Sequence, residues 1–224
     1  MRIVTLIAIA LVSQGALYGQ KKEEPRYYTD SEVPKHLINI NIYGQPSTLF
    51  RRIGTDLNGN QPNVTDRFVS QLNGDVGLAV DVHLRPLYLG VGMGQTWVNY
   101  GHRNEDESLR QTRARYWAIP MRAGLVTQLS DELSLEVWPT VTYRKAISFE
   151  NSLDNQPLSS GFSPSYWTAG VQVGASLALT DRLSFTLMGA MDYGFDDLEA
   201  GTSLRSYTEL PLFIGVRTGF RIKL

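Results

Sequence analysis

From residue 36 onward the chain alternates between apolar and polar positions. "HLININIYG" sets Ile38, Ile40 and Ile42 on one face and Asn39 and Asn41 on the other, the period of two that predicts a strand with unlike faces. "DVGLAVDVHL" opposes Val76, Leu78, Val80 and Val82 to Gly77, Ala79, Asp81 and His83. After Arg85-Pro86, "LYLGVGMGQTW" sets Leu87, Leu89, Val91 and Met93 against Tyr88, Gly90, Gly92 and Gly94. In "YWAIPMRAGL", Trp117, Ile119, Met121, Ala123 and Leu125 lie opposite Ala118, Pro120, Arg122 and Gly124. "LSLEVWPTVTYR" gives Leu133, Leu135, Val137 and Val141 against Glu136, Thr140, Thr142 and Arg144. "YWTAGVQVGASLAL" gives Val171, Val173, Ala175, Leu177 and Leu179 against Gly170, Gln172, Gly174 and Ser176. "LSFTLMGAMDY" follows, and "LPLFIGVRTGFRIKL" alternates to Leu224, with Arg217 and Arg221 on its polar face. Eight strands are predicted, most of them reaching the roughly 9–11 residues that a tilted strand needs to cross a bilayer. The first is the weakest, because it dissolves into "PSTLFRRIGTDLNG".

Three features orient the faces. Connections alternate between short (85–86, 129–132, 180–182) and long (45–71, 101–112, 145–164, 195–206), the asymmetry of outer-membrane barrels with short periplasmic turns and longer outer loops. Aromatic residues gather where strands meet the long connections: Trp97, Tyr100, Tyr116, Trp117, Tyr143, Tyr166, Trp167, Tyr193 and Tyr207, as in an interfacial girdle. The face opposite the aliphatic rows carries Asp81, Arg122, Glu136, Arg144, Asp192, Arg217 and Arg221 among small residues. A soluble barrel would reverse these faces. The pattern predicts an all-β, eight-stranded antiparallel up-and-down transmembrane barrel over 36–224, with lipid outside and both termini in the periplasm.

The N-terminus and the composition narrow the setting. Residues 1–20 read as a signal peptide, with Arg2 before the apolar run Ile3–Val12, and 21–35 as a polar periplasmic lead-in. No Cys is present, so structural disulfides and a cysteine-linked lipid anchor are excluded. The formal net charge is −1 and the pI near 6.3, with no basic tract for nucleic acid.

In strand plan and in the closing "GVRTGFRIKL", the chain resembles the small outer-membrane barrels of the OmpA transmembrane and PorT-like families. "YWAIPMRAGL" is similar to the Tyr-x-x-Ile-Pro strand of PorT-like barrels, and the likeness spans about residues 36–224. It implies a cell outer membrane location and leaves open an accessory role in protein export. The chain departs from the pattern in ending with Leu224, where such barrels usually end in an aromatic residue.

Candidate chemistry is sparse. The glycines of "GVGMGQTW" precede strand-forming residues, whereas a phosphate-binding turn needs a helix there; they read as space on an inner wall. An eight-stranded barrel has room inside only for side chains, so Arg217 and Arg221 are expected to meet Asp81, Glu136 or Asp192. His102 with Glu105, Asp106 and Ser108 faintly echoes lipid-modifying enzymes, but as loop residues they read as solvated; His36 lies before the first strand and His83 faces inward. "TDLNGNQPN" (55–63) lacks the terminal glutamate of a calcium loop. Pro120 and Pro139 each remove a ladder hydrogen bond and predict a local gap or bulge. The expectation is therefore no catalytic, cofactor-binding or metal-binding residue and no cofactor. It is a monomeric, non-enzymatic barrel with an envelope-structural or surface-interaction role, contacting outer-membrane lipid and, through its outer loops, envelope or extracellular proteins. A narrow pore and a lipid-modifying enzyme stand behind the export role as further alternatives.

Overall fold

The structure, a computed structural model, describes residues 38–56, 67–84, 87–154, 156–157, 163–196 and 207–224, with the backbone alone at 54–56, 156–157 and 207–209. Ten strands appear in order: β1 Ile38–Asp56, β2 Arg67–Ser70, β3 Leu72–Leu84, β4 Leu87–Arg103, β5 Leu109–Gln128, β6 Leu133–Leu153, β7 Gln156–Pro157, β8 Ser165–Ala178, β9 Leu183–Gly194 and β10 Tyr207–Lys223. Eight of them are staves. β2 continues the line of β3 and pairs with β4, while β7 pairs only with the top of β6. Every pairing is antiparallel, and β1 pairs with both β3 and β10, which closes the ring. Closure leaves no stave with a free edge, so backbone donors and acceptors are satisfied within the wall, as a chain in hydrocarbon requires.

The short turns repeat one chemistry. Leu129 and Ser130 donate backbone N–H bonds to the Leu133 carbonyl, and Leu179 and Thr180 do the same to Leu183. In each, a hydroxyl at the second position accepts from the backbone: Ser130 Oγ from Leu133 N at 3.1 Å and Thr180 Oγ1 from Leu183 N at 3.0 Å. These turns cap the end of the barrel where the chain's own C-terminus closes, with Leu224 N donating to the Ile38 carbonyl.

The faces fall as the alternation requires. Val91, Met93, Ile119, Met121, Val137, Val173 and Val216 are exposed on the outside, while Asp81, Arg122, Glu136, Arg144, Arg217 and Arg221 are buried in the lumen. So large an aliphatic surface belongs in hydrocarbon, and the chain is an outer-membrane β-barrel associated with the membrane lipid. The gaps expected at the prolines are present. The β4–β5 ladder skips Ile119 and Pro120, and the β5–β6 ladder skips Trp138 and Pro139.

Two expectations fail. The stretches 45–56, 101–103, 109–112 and 145–153, read as loop, are strand. The β4–β5 connection shrinks to Asn104–Ser108. In these tall ends outward positions such as Arg103, Lys145 and Glu150 are polar while Leu49 points in, so polarity there does not signal loop. The girdle is also thinner than expected. Trp117 and Trp167 are exposed, Trp97, Tyr143 and Tyr193 are half-buried, but Tyr100, Tyr116 and Tyr166 are buried inside. Adjacent positions on a strand face opposite ways, so the pairs Tyr116-Trp117 and Tyr166-Trp167 split between lumen and exterior. Residues 1–35, read from the sequence as signal peptide and lead-in, His36, residues 57–63 of the calcium-like stretch and the side chain of Tyr207 lie outside the described residues.

Candidate functional site in the lumen

The polar groups of the lower lumen form one connected ring. Asp81, on β3, accepts from Arg122 Nε at 2.8 Å and Nη2 at 2.7 Å, a bidentate pair. Asn41, on β1, donates from Nδ2 to the same carboxylate at 2.5 Å and accepts from Arg221 Nε at 3.1 Å through Oδ1. Arg221, on β10, is bidentate to Glu136 at 2.6 Å on both nitrogens. Glu136, on β6, also accepts from Trp138 Nε1 at 2.8 Å. The Trp138 ring then lies under Arg122, 4.7 Å from guanidinium carbon to centroid. Five staves meet in this circuit. Each carboxylate carries several charge-assisted bonds, which is the condition under which a buried pair offsets its desolvation.

Small residues make room for it. A Cβ at Gly90 would collide with the Asp81 carboxylate, and one at Gly124 would stand 2.5 Å from the Trp138 ring. Gly92 faces Pro120, and Gly94 crosses directly opposite Gly77. The glycines of "GVGMGQTW" are thus an inner wall, with Gly90 serving the ion pair.

Above the ring, Arg144 donates to Thr96 Oγ1 at 3.1 Å, to the Thr168 hydroxyl and to Asp75 at 3.4 Å, and Thr96 donates to Asp75. Asp192 is held by Gln45 Nε2 at 3.0 Å and Thr140 Oγ1 at 3.4 Å. Arg217 departs from expectation. It meets no carboxylate; its guanidinium stacks 3.5 Å over the Tyr43 ring, and Nη2 has no hydrogen-bond partner. Glu136 and Asp81 are already engaged by Arg221 and Arg122, and Arg217 is left to the Tyr43 ring.

The upper lumen holds an apolar plug. Leu49, Val98, Tyr100, Ala114, Tyr116, Tyr166 and Phe213 are buried together, with Phe68 and Phe149 against them. Tyr116 and Tyr166 meet edge to face at 5.0 Å. At the short-turn mouth a cavity of about 150 Å³ is lined by Tyr88, Ser134, Ser176, Ser184, Arg221 and Lys223. His83 stacks on Tyr88 at 4.1 Å.

The histidine-acid echo does not assemble. His102 is not a solvated loop residue; it is 2% exposed and packs on Phe68 and Tyr100 at the top of the plug. Glu105, Asp106 and Ser108 are at the tip of the β4–β5 hairpin, Glu105 and Asp106 exposed, while the imidazole is buried. The Ser108 hydroxyl donates to Asp106 at 2.6 Å, and that bond, with the Ser108 backbone N–H, holds the Asp106 carboxyl below its ordinary range. Among the described residues no group of three or more His, Asp or Glu could hold a metal ion. Trp138, which the sequence reading left without a role, is central. Its signal was a large aromatic at an inward position facing Gly124.

No family model and no curated protein matches the chain. Among solved structures it is similar to Neisserial surface protein A (NspA), at 11% identity and a TM-score of 0.49, over 84% of this chain and 97% of that one. It is similar also to the outer membrane protein OprG of Pseudomonas aeruginosa, at 11% identity and a TM-score of 0.47, over 84% and 96%. An outer membrane channel of Pseudomonas putida F1 follows at 10% identity and a TM-score of 0.33, over 86% and 97%.

Proposed function

We propose that the protein is a monomeric, non-conducting and non-enzymatic barrel. It serves the envelope as a structural element and presents the tall β4–β5–β6 end to extracellular or envelope partners. The observation that carries this reading is the filled lumen. A conducting path would have to pass both the Asp81–Arg122–Trp138–Glu136–Arg221 circuit and the plug of Leu49, Tyr116, Tyr166 and Phe213, and Trp138, Tyr116 and Tyr166 are each 1% exposed or less. The test is single-channel recording in planar bilayers. The wild-type barrel gives no conductance steps, while Tyr116→Ala/Trp138→Ala/Tyr166→Ala, which removes the largest fully buried side chains of both barriers, gives them. Steps from the wild type would overturn the reading.

The same reading places the tall end outside the cell. The chain has no Cys, so single cysteines report orientation cleanly. Ser108→Cys is labelled in whole cells by an impermeant maleimide and Ser130→Cys is not; the opposite pattern inverts the barrel. An export role has no separate support. Tyr116 of the PorT-like strand is in the plug, and Pro120 packs against Gly92, so packing accounts for both. Unchanged secreted-protein and lipid A acyl profiles in a deletion strain are the expected outcomes.

A further inference from the structure

The outside of β4, β5 and β6 changes character over a few residues. Up β5 from its periplasmic end the outward side chains are Leu125, Met121, Ile119 and Trp117, and then Arg115 and Arg113; on β6 they are Val137, Val141, Tyr143 and then Lys145. Register gathers them. Lys145 lies opposite Trp117, Arg115 opposite Trp97, and Arg113 opposite Asn99. Directly opposed side chains start about 5 Å apart and diagonal ones about 7–8 Å apart, so the three cations share one patch around two indole rings. A β-bulge at Arg115/Tyr116 shifts the register there.

All three cations are exposed. Among the described residues none of them has a hydrogen-bond, ion-pair or ring partner, and Glu150, opposite Arg113, is the one acid in register with them. Two other outward cations of this rim are engaged, Arg103 with Glu107 at 3.0 Å and Arg52 with the Tyr193 hydroxyl at 2.9 Å. Unpartnered cations just above tryptophans that mark headgroup depth face the phosphate layer. Arginine suits phosphate because its planar fork can donate two bonds to one group. We infer that this face binds the phosphorylated headgroup of an outer-leaflet lipid, with Arg113 and Arg115 on the phosphate, Lys145 beside them and Trp97 and Trp117 at the top of the acyl chains. The inference rests on the proposed orientation of the tall end for its leaflet, but the binding itself does not depend on whether the lumen conducts.

The test is native mass spectrometry of the folded full-length chain in detergent. The probes are bis-phosphorylated lipid A and its dephosphorylated form, with inorganic phosphate as competitor. Wild type retains the phosphorylated lipid in preference to the dephosphorylated one. Arg113→Gln/Arg115→Gln/Lys145→Gln loses at least about tenfold in retention, while Arg103→Gln/Arg182→Gln, with charges removed elsewhere, retains it. Should the triple variant fail to fold, Arg115→Gln alone carries the same expectation at smaller amplitude. Equal retention by the patch variants, no preference for the phosphorylated lipid, or displacement by millimolar inorganic phosphate would each overturn the inference. The titration is done in solution and is blind to orientation, so its failure is distinct from that of the cysteine-labelling experiment.

Discussion

At Gly124 an added methyl group has no space, since Trp138 occupies it. Trp138 in turn cannot retreat, because its Nε1 is bound to Glu136 and its face carries Arg122. Gly124→Ala should therefore destabilise the barrel by about 1–3 kcal/mol, the usual cost of overpacking, read as a lower urea midpoint for unfolding from detergent or vesicles. The charged residues separate into two kinds. Removing Asp81 strands Arg122 in the lumen, and Asp81→Ala should cost roughly 3–5 kcal/mol. Arg217 is bonded directly to no acid. Replacing it with Met keeps much of its packing and removes a buried charge that no acid meets directly, so Arg217→Met should fall within about 1 kcal/mol of wild type; Arg217→Ala, which also loses the packing on Tyr43, should be weaker by about 0.5–2 kcal/mol. A larger loss for Arg217→Met than for Asp81→Ala would show that the ring is not the dominant polar assembly.

At the scale of the strand, one rule is applied twice with opposite sign. Between the short turns and the level of Trp117, apolar residues face out and polar residues in; above it, Ala114, Tyr116, Val98 and Tyr100 face in while Arg113, Arg115 and Asn99 face out. The alternation of "LYLGVGMGQTW" and "GVRTGFRIKL" was legible because lipid demands an aliphatic face without exception. The tall ends were not, since a polar outer row in water looks like loop until the inward aromatics are paired across the barrel. The ring was half legible. Its ionic members are inward positions of strands already recognised, but which acid meets which base depends on stagger. Stagger brings Arg221 to Glu136 and leaves Arg217 to Tyr43. The lipid-facing half of the rule has its own test. Val173 is 53% exposed and lies between Val137 and Gly189, so Val173→Arg should cost roughly 2–4 kcal/mol if it faces the bilayer midplane. A near-neutral result in the same unfolding assay would place it away from the acyl chains.

The whole molecule is a closed wall around a packed polar and aromatic core, so its folded form should resist detergent. An unheated sample should migrate faster on a detergent gel than a boiled one. The most direct test of the arrangement uses the tryptophans as depth and side markers. Trp167 faces out at the upper girdle and is 41% exposed, whereas Trp138 is 1% exposed inside the wall. Single-tryptophan variants retaining one or the other are folded into vesicles whose acyl chains carry bromine at defined depths. Trp167 should be quenched by bromine near the headgroups, and Trp138 by bromine at no depth. Quenching of Trp138 by the acyl chains, with Trp167 spared, would mean that lumen and lipid face have been exchanged.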